Sequence, residues 1–308
     1  MRTAYIFPGQ ASQYVGMGKD LYETEAMAKT LFDRADDVLP FSLTQICFEG
    51  PSEELTQTRV TQPAIFVHSV VTSLLLSPRG LDIYAAAGHS LGEYSALVAT
   101  GALQFDDALS LVALRGELMQ NAGDERPGTM AAIMGLQIET VEEICQSASS
   151  DSEVVVAANI NAPGQIAISG DVPAVLRAME LAKEAGAKRA LQLNVSGAFH
   201  SPLMAPAAEK LAEKLEQTPF RPPNVPIYLN VTGKPTTDPD VIKARLIDQL
   251  THPVRWVASI EAIVKDGIEQ FLEVGPGNVL QGLVRRIAKG IPISGVGTVE
   301  DLRAYRNV

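Results

Sequence analysis

One serine constrains what this chain can fold into more than any other residue. Gly88-His89-Ser90-Leu91-Gly92 stands between a short apolar run, Leu81 to Ala87, and a helix-like run, Glu93 to Ala99. The first run suits a buried strand, so the pentapeptide predicts a sharp strand-to-helix turn with a hydroxyl pushed outward and glycines relieving the crowding. Such a turn belongs to layered α/β architecture. It also points the first amide of the following helix, that of Leu91, at whatever reacts with Ser90, which makes half of an oxyanion hole. The bland alternative is an ordinary turn with a solvent-exposed serine.

The rest of the chain supports the layered reading. Thr3 to Phe7 reads as a first strand ending at Pro8-Gly9-Gln10, and helical patterns follow at Lys19 to Val38, Gln62 to Leu76 and Ala108 to Gln120. The middle changes character: strand Thr129 to Leu136, helix Ile138 to Ser147, strand Glu153 to Asn159, strand Gln165 to Ser169, helix Val172 to Ala185, strand Ala187 to Val195. That order, βαββαβ, is the ferredoxin-like arrangement, complete in about seventy residues. After Val195 come helix Leu203 to Gln217, strand Ile227 to Val231, helices Pro239 to Leu250 and Val257 to Lys265, strand Ile268 to Val274, and helix Val279 to Ile287. The expected fold is therefore α/β: a large α/β-hydrolase-like domain, residues 1–124 and 196–308, carrying an inserted ferredoxin-like domain, residues 125–195, with a ligand-binding cleft between them.

Composition excludes several classes. The 308 residues are 46% hydrophobic and 20% charged, as in ordinary globular proteins, and the net charge of −11 argues against a nucleic-acid or anionic-membrane surface. Cys47 and Cys145, each in an apolar helical pattern, exclude a disulfide scaffold and fit a reducing compartment. Pro8-Gly9 interrupts the first apolar run too early for a signal peptide, and no run is long enough for a membrane span, so a cytoplasmic enzyme is expected.

A serine nucleophile needs a base. Of four histidines, His89 is adjacent to Ser90 and should diverge beneath the turn, His68 sits in an apolar helix, and His252 precedes Pro253 at a helix end. His200, in Ser196-Gly197-Ala198-Phe199-His200-Ser201-Pro202 after the last strand of the inserted unit, remains as the expected base. No Asp or Glu stands at an obvious place to orient it, which leaves a distant carboxylate or a backbone carbonyl. In the helix around Ala108-Leu111-Val112-Leu118-Met119, Arg115 falls within the apolar stripe. An inward guanidinium needs an anion: either a structural ion pair or the carboxylate of a substrate, held by two-point contact.

These residues resemble a family. Phe7-Pro8-Gly9-Gln10-Ala11-Ser12-Gln13, Thr61-Gln62-Pro63-Ala64, Gly88-His89-Ser90-Leu91-Gly92-Glu93, Arg115-Gly116, Gly197-Ala198-Phe199-His200-Ser201, Pro253-Val254-Arg255-Trp256 and Glu273-Val274-Gly275-Pro276-Gly277 together are similar to malonyl-CoA:acyl carrier protein transacylases and to the acyltransferase domains of polyketide synthases. The resemblance implies Ser90 as nucleophile, His200 as base, backbone amides of Gln10 and Leu91 as oxyanion hole, and the main-chain carbonyl of Gln249 orienting the imidazole. It further implies Arg115 on the malonyl carboxylate, Met119, Phe199 and Gln62 around the acyl group, and Phe199 disfavouring a methyl branch. Thr251-His252 is less typical before Pro-Val-Arg-Trp.

The implied reaction is ping-pong transfer from malonyl-CoA to the phosphopantetheine thiol of an acyl carrier protein, with no metal and no permanently bound cofactor, by a monomer. Because carrier proteins of this kind are acidic, a local basic patch of Lys188, Arg189, Arg285, Arg286 and Lys289 is expected near the cleft; scattered solvated charges are the alternative. A free-standing chain favours fatty acid over polyketide synthesis. A serine esterase or thioesterase shares Ser90 and His200 but gives Arg115 no task, and a non-catalytic carrier-binding scaffold gives none to all three.

Overall fold

The computed structural model describes residues 1–77, 82–195 and 197–305. Leu81 and Ser196, which open the expected elbow strand and base loop, lie outside the described residues. Among the described residues ten strands follow in chain order: β1 (Thr3–Phe7), β2 (Ile83–Gly88), β3 (Gly128–Met134), β4 (Val155–Ala162), β5 (Gln165–Asp171), β6 (Arg189–Gln192), β7 (Ile227–Tyr228), β8 (Pro235–Thr236), β9 (Gln270–Val274) and β10 (Ile293–Val296). They form two sheets. The larger has the order β10-β9-β1-β2-β7-β8 and is parallel except for β8; the smaller has the order β4-β5-β3-β6 and is antiparallel throughout.

The larger sheet is covered on both faces, which is why its strands are continuous apolar runs. Along β1, Tyr5 and Phe7 face one core while Ala4 and Ile6 face another. The first core is dominated by helices Thr58–Leu76 and Phe105–Glu125; the second by Trp256–Lys265 and Val279–Ile287. The smaller sheet packs one face on helices Ile138–Ala148 and Val172–Glu184 through Ala131, Ile133, Ile166 and Ile168. Its opposite face, including Met130 and Ala167, joins the first core. The sheets are stitched together by Pro253-Val254-Arg255-Trp256. The Val254 N–H donates to the Ala158 carbonyl (2.8 Å) and its carbonyl accepts from Ile160 N–H (2.9 Å), while the Arg255 N–H reaches the Asn230 carbonyl (2.9 Å).

Several boundaries differ from the sequence reading. The pattern over Lys19 to Val38 is two helices, Lys19–Thr24 and Ala26–Val38, because Glu25 is extended (φ −118°, ψ 115°). The helix containing Gln62 begins four residues earlier, at Thr58, and carries Pro63 inside it, at the sixth position, where the helix forgoes an N–H bond to the Arg59 carbonyl. Strand Ala187 to Val195 shortens to Arg189–Gln192 and lies at a sheet edge with little to bury it. Strand β10 and helices Leu43–Glu49 and Val299–Arg303 were not foreseen. Cys47 and Cys145 are buried and unbridged, and burial pushes both thiols up to about 12. Among the described residues no helix is long and apolar enough to cross a membrane.

Candidate active site

The turn after β2 is built by close backbone approach. A Cβ on Gly88 would lie 1.8 Å from the Gly92 carbonyl carbon, and one on Gly92 would lie 2.1 Å from the Phe7 carbonyl oxygen. With both glycines in place, helix Gly92–Ala99 starts directly against the end of β1, and Ser90 is held in the left-handed region at φ 51°. A non-glycine residue there stores strain of roughly 1–3 kcal/mol, which the surroundings must offset. They do so through Asn230: its Oδ1 accepts the Ser90 N–H (2.7 Å) and its Nδ2 donates to the Gly88 carbonyl (2.7 Å). His89 turns beneath the elbow, as expected, with Nε2 2.8 Å from Asn161 Oδ1 and its ring edge-on to Trp256.

The sequence-selected histidine meets the serine. Ser90 Oγ donates to His200 Nε2 (2.8 Å), and His200 Nδ1 donates to the Gln249 carbonyl (2.9 Å). A carbonyl can only accept, so Nδ1 carries the proton and Nε2 is left as acceptor, the tautomer a base requires. His200 itself sits at φ 58°, in a turn braced by Ser201 Oγ, which donates to the Ala198 carbonyl (2.7 Å) and accepts from the Leu203 N–H (3.3 Å). Burial, and after it the Arg115 charge, push the His200 imidazole down to about 3, so it is neutral at ordinary pH.

Arg115 is fully buried, as its place in the apolar stripe predicts. Gly116 eases this: a Cβ there would stand 3.0 Å from the Thr58 carbonyl oxygen and 3.1 Å from Arg59 Cα, tighter than ordinary contact, so glycine favours the close approach of the two long helices that brings Gln62 to the guanidinium. Nη1 donates to Gln62 Oε1 (2.7 Å); Nη2 donates to Gln249 Oε1 (2.9 Å) and to Ser90 Oγ (2.9 Å). All three partners are neutral, and among the described residues no carboxylate is within ion-pair distance. A structural ion pair is thereby removed as the reason for this arginine.

Gln62 also donates to Met119 Sδ (3.3 Å), fixing the thioether, and its contact with Gln10 is long (3.5 Å). Gln10 follows Gly9, where a Cβ would lie 2.6 Å from the His89 carbonyl oxygen, so the Pro8-Gly9-Gln10 turn lies directly on the elbow. Leu91 precedes helix Gly92–Ala99, whose Gly92, Glu93 and Tyr94 N–H groups bond the carbonyls of His89 (3.0 Å), Ser90 (3.1 Å) and Leu91 (3.0 Å). A cavity of about 600 Å³ opens here, lined by Gln10, Ser90, His200, Met119, Phe199 and Asn161 among others. One of its walls is helix Val279–Ile287, placed by buried Glu273, whose carboxylate accepts the N–H groups of Leu280 (3.0 Å) and Gln281 (3.2 Å). That gives Glu273-Val274-Gly275-Pro276-Gly277 a concrete task. Lys188, Arg189, Arg285, Arg286 and Lys289 are all exposed; the first pair lies at the start of β6, Arg285 and Arg286 in the last turn of the wall helix and Lys289 just past it, and Arg286 bonds the Pro163 carbonyl and Gln165.

Three features went unread in the sequence. Gln249 acts through its side chain as well as its carbonyl, reaching Arg115, the Ser90 carbonyl (3.0 Å) and Glu93. Glu93 is a buried acid one turn beyond the serine, and Asn230 clamps the elbow from beyond a two-residue strand. No local periodicity signals either one.

Fold and site together define an acyl transferase: residues 4–301 match the acyl transferase domain family, and the chain belongs to it. It is 46% identical to the malonyl CoA-acyl carrier protein transacylase of Bacillus subtilis over 302 residues, 97% of this chain and 95% of the relative. It is 40% identical to the protein of that name from Staphylococcus aureus, over 99% and 98% of the two chains. Among solved structures, an acyl carrier protein S-malonyltransferase from Vibrio cholerae superposes with a TM-score of 0.94 at 45% identity, covering 99% of each chain. A malonyl-transacylase solved in complex with its type II polyketide synthase acyl-carrier protein gives 0.95 at 42% identity over 99% of each chain.

Proposed function

We propose that this chain transfers the malonyl group of malonyl-CoA to the phosphopantetheine thiol of an acyl carrier protein, supplying extender units for fatty acid synthesis. The observation that carries the reading is Arg115: a buried cation bonded only to neutral groups and to the nucleophile's own oxygen, and so in want of an anion beside Ser90. A malonyl carboxylate two bonds from the reacting carbonyl carbon supplies it. In this reading Ser90 attacks the thioester as His200 Nε2 takes its proton. The amides of Gln10 and Leu91 hold the tetrahedral oxyanion, each contributing about 3 kcal/mol to the transition state. The imidazolium, steadied by the Gln249 carbonyl, returns its proton to the departing thiol, and the carrier's thiol reverses the steps. Met119, Phe199 and Gln62 shape the acyl pocket. No metal or resident cofactor is required.

The chain is read as an α/β-hydrolase-like domain, 1–124 and 196–308, with a ferredoxin-like domain, 125–195, inserted. Support comes from the order β4-β5-β3-β6, in which the first and third strands of the unit are central. Lys188, Arg189, Arg285, Arg286 and Lys289 are read as the carrier-docking patch; what supports this is their exposure and the bond from Arg286 to the cavity-lining Gln165. A polyketide pathway is the second reading, favoured by the likeness to the complex of a type II polyketide acyl-carrier protein with its transacylase.

The test is the intact mass of the protein after mixing with malonyl-CoA. A single malonyl adduct, absent in Ser90→Ala and discharged by holo carrier protein, supports the proposal. Release of free malonate without adduct or transfer overturns it in favour of a hydrolase.

A further inference from the structure

Glu93 takes no part in the steps above, yet both of its oxygens are spoken for. It is buried at 1% exposure; Oε1 accepts the Asn230 backbone N–H (2.7 Å) and Oε2 accepts from Gln249 Nε2. Each partner in turn holds the reacting groups. Asn230 grips the elbow on both sides of its strained serine, through the Ser90 N–H and the Gly88 carbonyl. Gln249 offers its carbonyl to His200, its Oε1 to Arg115 and its Nε2 to the Ser90 carbonyl.

We infer that Glu93 is a positioning residue: one carboxylate that sets the elbow through Asn230 and sets both the base and the guanidinium through Gln249.

The amide of Gln249 links the two halves of this network. Its two ends differ only in hydrogen-bonding sense. As placed, Nε2 faces two acceptors, Glu93 Oε2 and the Ser90 carbonyl, while Oε1 faces Arg115 Nη2. Rotating the amide by half a turn would set an oxygen against a carboxylate and an NH2 against a guanidinium, repelling at both ends. While ionised, the Glu93 carboxylate is acceptor-only and permits one orientation, and that orientation gives Arg115 an acceptor on the side away from Gln62. The guanidinium is thus held between two amide oxygens with one Nη2 proton toward Ser90 Oγ. Arg115 lies beyond the Gln249 amide, outside ion-pair distance, and its charge only partly offsets the burial of Glu93. Burial draws the Glu93 carboxyl up to about 7, against the Asn230 and Gln249 donors and the Arg115 charge.

The inference rests on the proposed malonyl transfer, and wild-type adduct formation measured in parallel separates the two: no wild-type adduct removes the functional reading, whereas a normal wild type beside an unaffected variant removes only this inference. The variant is Glu93→Gln, which keeps volume but must set its NH2 against one of two donors, Gln249 Nε2 or the Asn230 N–H. In folded protein, shown by cooperative unfolding, kcat/KM for malonyl-CoA should fall about 100-fold, the loss lying mainly in kcat. The preference for malonyl- over acetyl-CoA should shrink about tenfold, since Arg115 loses its orientation. If Glu93→Gln does not fold, Glu93→Asp, one carbon shorter with its charge kept, should show the same selectivity shift with a loss of about tenfold. Folded Glu93→Gln with kinetics within threefold of wild type, or a loss that leaves the malonyl-to-acetyl ratio unchanged in both variants, overturns the inference.

Discussion

Replacing Arg115 by alanine tests the proposed carboxylate clamp most directly, because the structure sets the size of the effect. A malonyl carboxylate reaching the Nη2 position that now bonds Ser90 Oγ would stand about 4 Å, charge to charge, from the guanidinium. At an effective dielectric constant near 20, that attraction is about 4 kcal/mol. Part of it offsets the removal of the carboxylate from water, leaving a net of about 3 kcal/mol, or a loss of 100- to 200-fold in kcat/KM. Acetyl-CoA has no carboxylate and loses nothing by this route. It even gains, because Arg115 is the second cause of the low His200 pKa and its removal makes the base stronger. The expected result is a malonyl-to-acetyl selectivity lower by at least 100-fold, with acetyl transfer unchanged or up to several-fold faster. The assay is competition between the two thioesters for limiting holo carrier protein, read by the mass of the acylated carrier. Arg115→Lys, which keeps charge but cannot span Gln62 and Gln249 together, should fall between. Malonyl kcat/KM within fivefold of wild type in Arg115→Ala would refute the clamp.

Ser90→Gly should be more stable than Ser90→Ala by about 1 kcal/mol in chemical denaturation, because only glycine relieves φ 51°; equal stabilities would show that the elbow is unstrained. Gly92→Ala, with its Cβ 2.1 Å from the Phe7 carbonyl, should abolish detectable adduct formation, whereas Gly282→Ala, facing open space within helix Val279–Ile287, should raise stability by up to about 1 kcal/mol with activity kept. His68 is fully buried, and burial pushes it down to about 4. The unfolded chain therefore takes up this proton first as pH falls below 6.5, and stability drops by about 1.4 kcal/mol per pH unit from there to about pH 4. His68→Gln should flatten the measured slope by that amount; an unchanged slope would place the imidazole in contact with solvent. Charge reversal at Lys188 and Arg189 should raise KM for the carrier protein while leaving acylation by malonyl-CoA unaltered, and carrier kinetics equal to wild type would sink the docking patch.

The parts of the site that were legible in the sequence are those written in local code. Two glycines around a serine specify a turn; an arginine at i+3 and i+4 from leucines and valines must face inward; a histidine in a glycine-containing loop after a βαββαβ unit lands at the junction of the sheets. Each inference needs only a few neighbouring residues. The supporting network is different in kind. Asn230 follows a two-residue strand and is bonded to Ser90, 140 positions away, and Gln249 joins Glu93 and Arg115 from 156 and 134 positions away. Its members are ordinary polar residues in their own windows, and only the closing of the parallel sheet brings them together. Glu93 even reads as one more polar residue in a helical pattern. The break at Glu25 and the strand β10 were missed for a related reason: helical periodicity continues through a single extended residue, and a four-residue edge strand has too little pattern to stand out.

The missing third member of a triad also explains why a thiol rather than water would complete the proposed reaction. A carboxylate beside His200 would stabilise the imidazolium; a neutral carbonyl from Gln249 does so much less, and Arg115 opposes it. The free enzyme thus carries a weak base. A malonyl carboxylate on Arg115 cancels that opposing charge, so the correct acyl group strengthens the base that must process it, while an acyl group without a carboxylate leaves it weak. Even so, the base is modest, and modesty discriminates between nucleophiles. A thiol with a pKa near 8.5 needs little help to attack the seryl ester, whereas water, at about 15.7, depends on a strong base. Selectivity for transfer over hydrolysis then follows from the electrostatics around one imidazole, without any need to keep an open cavity dry.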